Sequence, residues 1–181
     1  MYKEYNIEIE KNIAILMISA IISDTLLFKS PTCTNEDKVA VEELNKIACL
    51  NIEEYGLAML KAGTDLSDLT ATELVELDSK EVMIGNNKTV ISQVNTASIP
   101  DMMQRKEEIE EALKQVVEEK ELDLIFFAIT DIINSNSQVI AFGNTDLVEK
   151  SYGVKLENNT ALLKGVVSRK KQIIPVLSEN V

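Results

Sequence analysis

The segment LDLIFFAIT, residues 122–130, decides the fold class of this chain, and a second apolar segment, QVIAF, follows it at residues 138–142. Apolar runs of this kind are typical of strands that are buried on both faces of a sheet. Helical patterns stand on either side of the two strands. One is charged and runs from Ser98 through Lys120, and the other covers residues 146–152. Strands that alternate with helices predict an α/β fold with a mixed sheet in a small domain.

The alternation of helix and strand begins at about residue 70. A short helix to about residue 77 is predicted to lead into a strand over residues 80–84. The residues Gly85-Asn86-Asn87 are typical of a hairpin turn, and a second strand pattern follows over residues 88–96. We therefore predict that residues 70–181 form the α/β domain.

Residues 1–62 carry helical patterns and no strand pattern. Apolar residues recur at helical spacing from Ile9 to Ser23, which predicts a largely buried helix with Asp24 at its C-terminal edge. Two further helices are predicted, through about residue 49 and over residues 52–62, with Thr34 or Asn35 and then Asn51 as their N-terminal caps. We interpret residues 1–62 as the helical end of a larger domain.

The stretch GTDLSDL, residues 63–69, separates the two parts of the chain. It is polar and turn-prone, which predicts a linker between domains. An ordinary loop between two helices would have a similar composition, and the residues alone leave both interpretations open.

Composition excludes several classes of protein. The chain has 181 residues, 45% of them hydrophobic and only 4% aromatic, which predicts an aliphatic core. A formal net charge of -12 argues against nucleic acid as a partner, because backbone phosphates require a basic face. No apolar run approaches the ~20 residues that span a bilayer, so we expect no membrane association and a cytoplasmic location. The two cysteines lack the spacing of a zinc site.

One short run, SRKKQ at residues 168–172, concentrates positive charge in this acidic chain. A guanidinium and neighbouring ammonium groups suit the oxygens of a phosphate or diphosphate. The other interpretation is a solvated basic turn at a strand end. If the run lies on a strand, alternation directs Lys171 away from Lys170. We expect Arg169 to be an exposed cation.

Two aspartates follow apolar segments. Asp24 is either an N-cap for the residues that follow it or a hard oxygen ligand for a divalent cation. Asp131 comes after the buried strand pattern, where α/β proteins often place ligands, but it has no second carboxylate or histidine close in sequence. We interpret Asp131 as structural.

Three stretches together carry a family resemblance: SAIISDTLLFKSPTCT at residues 19–34, EEYGLAMLKAGTDLS at 53–67, and LENNTALLKGVVSRKKQIIPVL at 156–177. They resemble the manganese-dependent (family II) inorganic pyrophosphatases of the DHH phosphoesterase superfamily, and the similarity extends over nearly the whole chain. The resemblance implies that residues 1–62 are the end of a DHH domain, that 63–69 are a linker, and that 70–181 are the DHH-associated C-terminal domain. The resemblance covers only the C-terminal portion of such enzymes, and this chain has no histidine.

The resemblance also implies residue roles. Asp24 matches an aspartate that ligates one Mn²⁺ ion, with Mg²⁺ or Co²⁺ as possible substitutes. Lys80, Arg169 and Lys170 match the cations that bind inorganic diphosphate, although the residues around Lys80 by themselves favour a solvated lysine at a strand start. The parent is expected to be a homodimer that hydrolyses diphosphate to two phosphates, and the chain alone is expected to be inactive. An exopolyphosphatase of the same superfamily and a non-catalytic phosphate-binding module remain alternatives.

Overall fold

The computed structural model describes residue 5 and residues 7–181. The chain divides into two compact units, residues 1–63 (unit 1) and residues 64–181 (unit 2). None of the helices in the described part of the chain is long and apolar enough to cross a membrane.

Unit 1 is built from helices α1 (Lys11–Thr25), α2 (Asn35–Ala48) and α3 (Ile52–Ala62). The predicted caps are confirmed, since Thr34 accepts a hydrogen bond from the amide of Asp37 and Asn51 accepts one from the amide of Glu54. The core of the unit consists of aliphatic side chains of α1 and α2, namely Ala14, Ile18, Ile22, Val41, Leu44 and Ala48.

Within the described residues, unit 2 contains one five-stranded sheet and five α-helices. The strands are β1 (Ser79–Ile84), β2 (Asn87–Thr96), β3 (Leu124–Asp131), β4 (Asn136–Gly143) and β5 (Thr160–Lys164). The helices are α4 (Ala71–Glu76), α5 (Ile99–Met103), α6 (Lys106–Lys120), α7 (Thr145–Tyr152) and α8 (Ile174–Glu179). The strand order is β1-β2-β3-β4-β5. β2 and β3 are parallel, and the other neighbours are antiparallel. The predicted mixed sheet is confirmed.

The central strand β3 is buried along its whole length, as its apolar sequence predicts. Ile125, Phe127 and Ile129 pack in one apolar cluster with residues of α4, α5 and α6. Phe126 and Ala128 point to the opposite face, where α7 and α8 cover the sheet. Helices on both faces explain why a continuous apolar run, and not an alternating one, marks this strand.

Two expectations about unit 2 are wrong. The predicted helix from Ser98 to Lys120 is two helices, because Gln104 and Arg105 donate their amides to carbonyls three residues back and end α5. The Arg105 guanidinium then donates to the carbonyls of Leu66 and Leu69, at 3.3 and 2.8 Å. The basic run does not lie on a strand either, since Arg169–Ile173 forms a π-helical turn that continues into α8.

Candidate anion-binding site

The pairing of β1 with β2 brings Lys80 and Arg169 to the same part of the sheet. Lys80 lies opposite Ile91 in the antiparallel register. The carbonyl of Ile91 accepts a hydrogen bond from Nη1 of Arg169 at 3.3 Å. Lys170 is the next residue of the π-helical turn. We call Lys80, Arg169 and Lys170 the cationic cluster.

Arg169 is the most strongly bound member of the cationic cluster. Its Nη1 donates to the carbonyl of Asp78 at 2.6 Å, and its Nη2 donates to Oδ1 of Asp78 at 2.7 Å. Only 20% of its side chain is exposed. The expectation of an exposed guanidinium is therefore wrong, and Arg169 has a structural role within unit 2 in addition to any role with a ligand.

The lysines differ from Arg169 in this respect. Lys80, Lys170 and Lys171 are exposed, and none of them makes a side-chain hydrogen bond or ion pair with a described residue. Because Lys170 and Lys171 follow each other in a helical turn, the strand argument that directed Lys171 away does not apply. Their ammonium groups are available to an anionic ligand.

A network of hydrogen bonds fixes the segment from Gly165 to Gln172. The side chain of Gln172 accepts from the amides of Val167 and Ser168, at 3.0 and 3.2 Å, and donates to the carbonyl of Gly165 at 2.8 Å. The Tyr152 hydroxyl donates to the carbonyl of Gln172 at 3.0 Å, and burial raises the pKa of this hydroxyl. The main chain that presents Arg169 is thus held on both sides.

A row of polar side chains on the sheet, the half-buried Gln93 and the buried Thr130 and Ser137, supports the same segment, and the sequence did not reveal this polar row. Nε2 of Gln93 donates to Thr130 Oγ1 and to the carbonyl of Val167, both at 3.0 Å. Ser137 donates to the carbonyl of Val166 at 2.7 Å, so its oxygen accepts from Thr130 at 2.8 Å. Polar residues at inward positions of otherwise aliphatic strands were the available signal, because such groups require buried partners.

Asp24 lies in the last turn of α1 and is exposed. It is not an N-cap, because it is inside the helix that precedes it. Its carbonyl accepts from Thr32 Oγ1 at 3.3 Å, and no described residue makes a side-chain hydrogen bond or ion pair with its carboxylate. Directly after α1, Leu26, Leu27 and Phe28 have φ values of 47°, 53° and 65°. Left-handed conformations are costly for such residues, so the surrounding bonds must fix this turn tightly.

The carboxylate of Asp24 is a suitable type of ligand for a manganese ion, but a single carboxylate is too few ligands. An aspartate oxygen is a suitable ligand for such an ion. Among the described residues, however, no group of three or more His, Cys, Asp or Glu side chains could hold a metal. One carboxylate alone does not hold the ion, so these residues do not form a complete metal site.

Asp131 has the structural role that we expected. Its Oδ1 accepts from the amides of Ile133 and Asn134, at 2.7 and 2.9 Å, and its Oδ2 accepts from the side chain of Asn134 at 2.8 Å. These bonds shape the turn between β3 and β4.

Unit 2 is a small α/β domain whose sheet is covered by helices on both faces, with a fixed basic turn beside the start of its edge strand. The model of the DHHA2 domain matches residues 57–180. The chain belongs to the DHHA2 domain family.

Two relatives make the comparison more specific. A Bacillus subtilis protein named manganese-dependent inorganic pyrophosphatase is 58% identical over 99% of this chain and 58% of its own length. A crystal structure of a Methanococcus jannaschii protein, provisionally assigned as a family II inorganic pyrophosphatase, has a TM-score of 0.86 and 40% identity. The match covers 96% of this chain and 57% of the Methanococcus jannaschii chain. The chain therefore spans a little over half the length of the relatives that it matches.

Proposed function

We propose that this chain is the C-terminal portion of a manganese-dependent inorganic pyrophosphatase, which hydrolyses diphosphate to two phosphates. The identity of 58% to the Bacillus subtilis protein over 99% of the chain supports this proposal. The parent would be cytoplasmic and homodimeric, as the family resemblance implies. A net charge of -12 would make nucleic acid an unfavourable partner.

The cationic cluster would bind the diphosphate. Hydrolysis leaves negative charge on the departing phosphate, and preorganised cations stabilise that charge. The observation that carries this role is the bond from Arg169 to the carbonyl of Ile91, which lies opposite Lys80 in the sheet. This bond holds the guanidinium against the strand pair that carries Lys80, and Lys170 is adjacent to Arg169 in sequence.

Asp24 would contribute one ligand to a Mn²⁺ ion, and the other ligands would come from the part of the longer relatives that this chain does not match. When bound, the metal supplies a water of lowered pKa as the nucleophile. The role of this chain is then to present one carboxylate oxygen and to neutralise the substrate. We expect the purified chain alone to release negligible phosphate from diphosphate with Mn²⁺ or Mg²⁺.

A chimera tests the proposal. The part of the Bacillus subtilis protein that this chain does not match is joined to the whole of this chain, and phosphate release from diphosphate is measured with Mn²⁺. The proposal predicts activity in the chimera and none in either part alone. A folded chimera that loads Mn²⁺ but releases no phosphate would contradict it. Release from longer polyphosphate in preference to diphosphate would favour the exopolyphosphatase alternative.

A further inference from the structure

The carboxylate of Asp78 lies within the cationic cluster, where a negative charge should weaken the binding of an anion. We propose that Asp78 is a positioning residue that orients the Arg169 guanidinium towards a diphosphate. The inference rests on the proposed function, because it concerns the same ligand.

The argument begins with the donors of Arg169. A guanidinium has five N–H groups in one plane. Two on Nη1 are used by the carbonyls of Asp78 and Ile91, and one on Nη2 is used by Oδ1 of Asp78. The Nε–H and the second Nη2–H remain. These two hydrogens lie along one edge of the group, and such an edge forms parallel hydrogen bonds with two oxygens of a phosphate.

Asp78 is itself fixed to the sheet. Its carbonyl also accepts a hydrogen bond from the amide of Gln93 at 3.0 Å, which ties it to β2. It directly precedes β1 and is two residues from Lys80. The same short segment therefore both bonds the guanidinium through Asp78 and carries Lys80.

The geometry favours positioning over competition with the ligand. A carboxylate that competed with the anion would occupy the edge of the guanidinium that the anion takes. Two of the three acceptors are main-chain carbonyls, which remain in place when a ligand binds, and the carboxylate shares their side of the group. The Asp78 side chain adds the third point that sets the rotation of the plane.

Charge and position can be separated by two substitutions in this chain. Asp78→Ala and Asp78→Asn both remove the negative charge, but only asparagine keeps an oxygen that can accept from Nη2. Calorimetric titration with magnesium diphosphate should show binding by Asp78→Asn at least as tight as by the wild type. Binding by Asp78→Ala should be about fivefold weaker than by Asp78→Asn, since the Arg169 guanidinium is then no longer held in one orientation. Circular dichroism and thermal unfolding confirm that each variant folds.

Arg169→Lys provides the background that isolates the mechanism. An ammonium has no planar fork. In this background, the ratio of the diphosphate dissociation constants of the alanine and asparagine variants at position 78 should therefore fall to about one. Equal affinities of the two variants in the presence of Arg169, or tighter binding by Asp78→Ala, would overturn the inference alone. A wild-type chain that does not bind diphosphate would overturn both the inference and the diphosphate site. Activity of the chimera tests the proposed function independently.

Discussion

The end of α1 and the segment from Gly165 to Gln172 each present charge for a ligand, but they are built differently. The second segment is bound within unit 2 by side chains from distant parts of the sequence, and Arg169 is bound to Asp78, 91 residues away. Asp24 is exposed at a turn that is fixed through local main-chain bonds. The difference teaches that unit 2 holds the proposed anion-binding groups in a nearly finished form, whereas the carboxylate proposed as a metal ligand in unit 1 would require partners from elsewhere.

The largest expected difference in stability is between Arg169→Ala and Asp24→Ala. The arginine substitution removes bonds to two main-chain carbonyls and a partly exposed carboxylate, and we expect it to lower the free energy of unfolding by about 2 kcal/mol. Asp24→Ala should change it by less than about 0.5 kcal/mol, because the carboxylate is exposed. Urea denaturation measures both. Equal changes in the free energy of unfolding for the two variants would contradict the contrast between the end of α1 and the segment from Gly165 to Gln172.

The polar row should matter somewhat less. Thr130→Val keeps the size of the side chain but removes the acceptor for Gln93 and the donor for Ser137. We expect a loss of about 1–2 kcal/mol, since the half-buried amide of Gln93 is then left with one fewer partner. Gln93→Leu in the Thr130→Val background should recover part of the lost stability. If Thr130→Val left the free energy of unfolding unchanged, the polar row would be dispensable for stability.

Arg105→Ala should have a local effect. Without the guanidinium, the carbonyl of Leu69 loses its side-chain donor and that of Leu66 retains only the amide of Leu69 at 3.3 Å, so the predicted linker region should open more often. Limited proteolysis should then cleave between residues 63 and 69 faster than in the wild type. As a control, Lys164→Ala should leave the rate unchanged. First cleavage within residues 122–142 in either protein would contradict the division into two units.

The smallest expected effect concerns two capping boxes, one in each unit. The bonds from Thr70 lower the pKa of Glu73, and those from Thr34 lower the pKa of Asp37. Since the folded state holds each pKa below its unfolded value, the stabilisation is present above the unfolded pKa and is lost as the pH falls through the folded pKa. Glu73→Gln and Asp37→Asn should each make stability less dependent on pH in the acidic range, as urea titrations would show. An unchanged pH dependence would show that the caps contribute nothing.

Local signals in the sequence predicted much of the fold. The caps at Thr34 and Asn51 and the apolar run of β3 were found because each depends on neighbouring residues. The bonds from Arg105 to the carbonyls of Leu66 and Leu69 were not found, because these partners lie 39 and 36 residues away in sequence. The bonds between Arg169 and Asp78 were missed for the same reason, since nothing near Asp78 in sequence points to Arg169. The residues of the candidate site came from a family resemblance, and their assignment as ligands remains a prediction.

The kinetics of the chimera with Lys170→Ala test the central claim most directly. Lys170 is exposed and makes no side-chain bond with a described residue, so its loss should leave stability unchanged. If the cationic cluster binds diphosphate, kcat/KM should fall by about 10²–10³, the usual effect of losing a preorganised charged donor. Lys164→Ala, which removes an exposed lysine at the end of β5, serves as the matched control and should retain the parent activity. Equal kcat/KM values for the two variants would contradict the account.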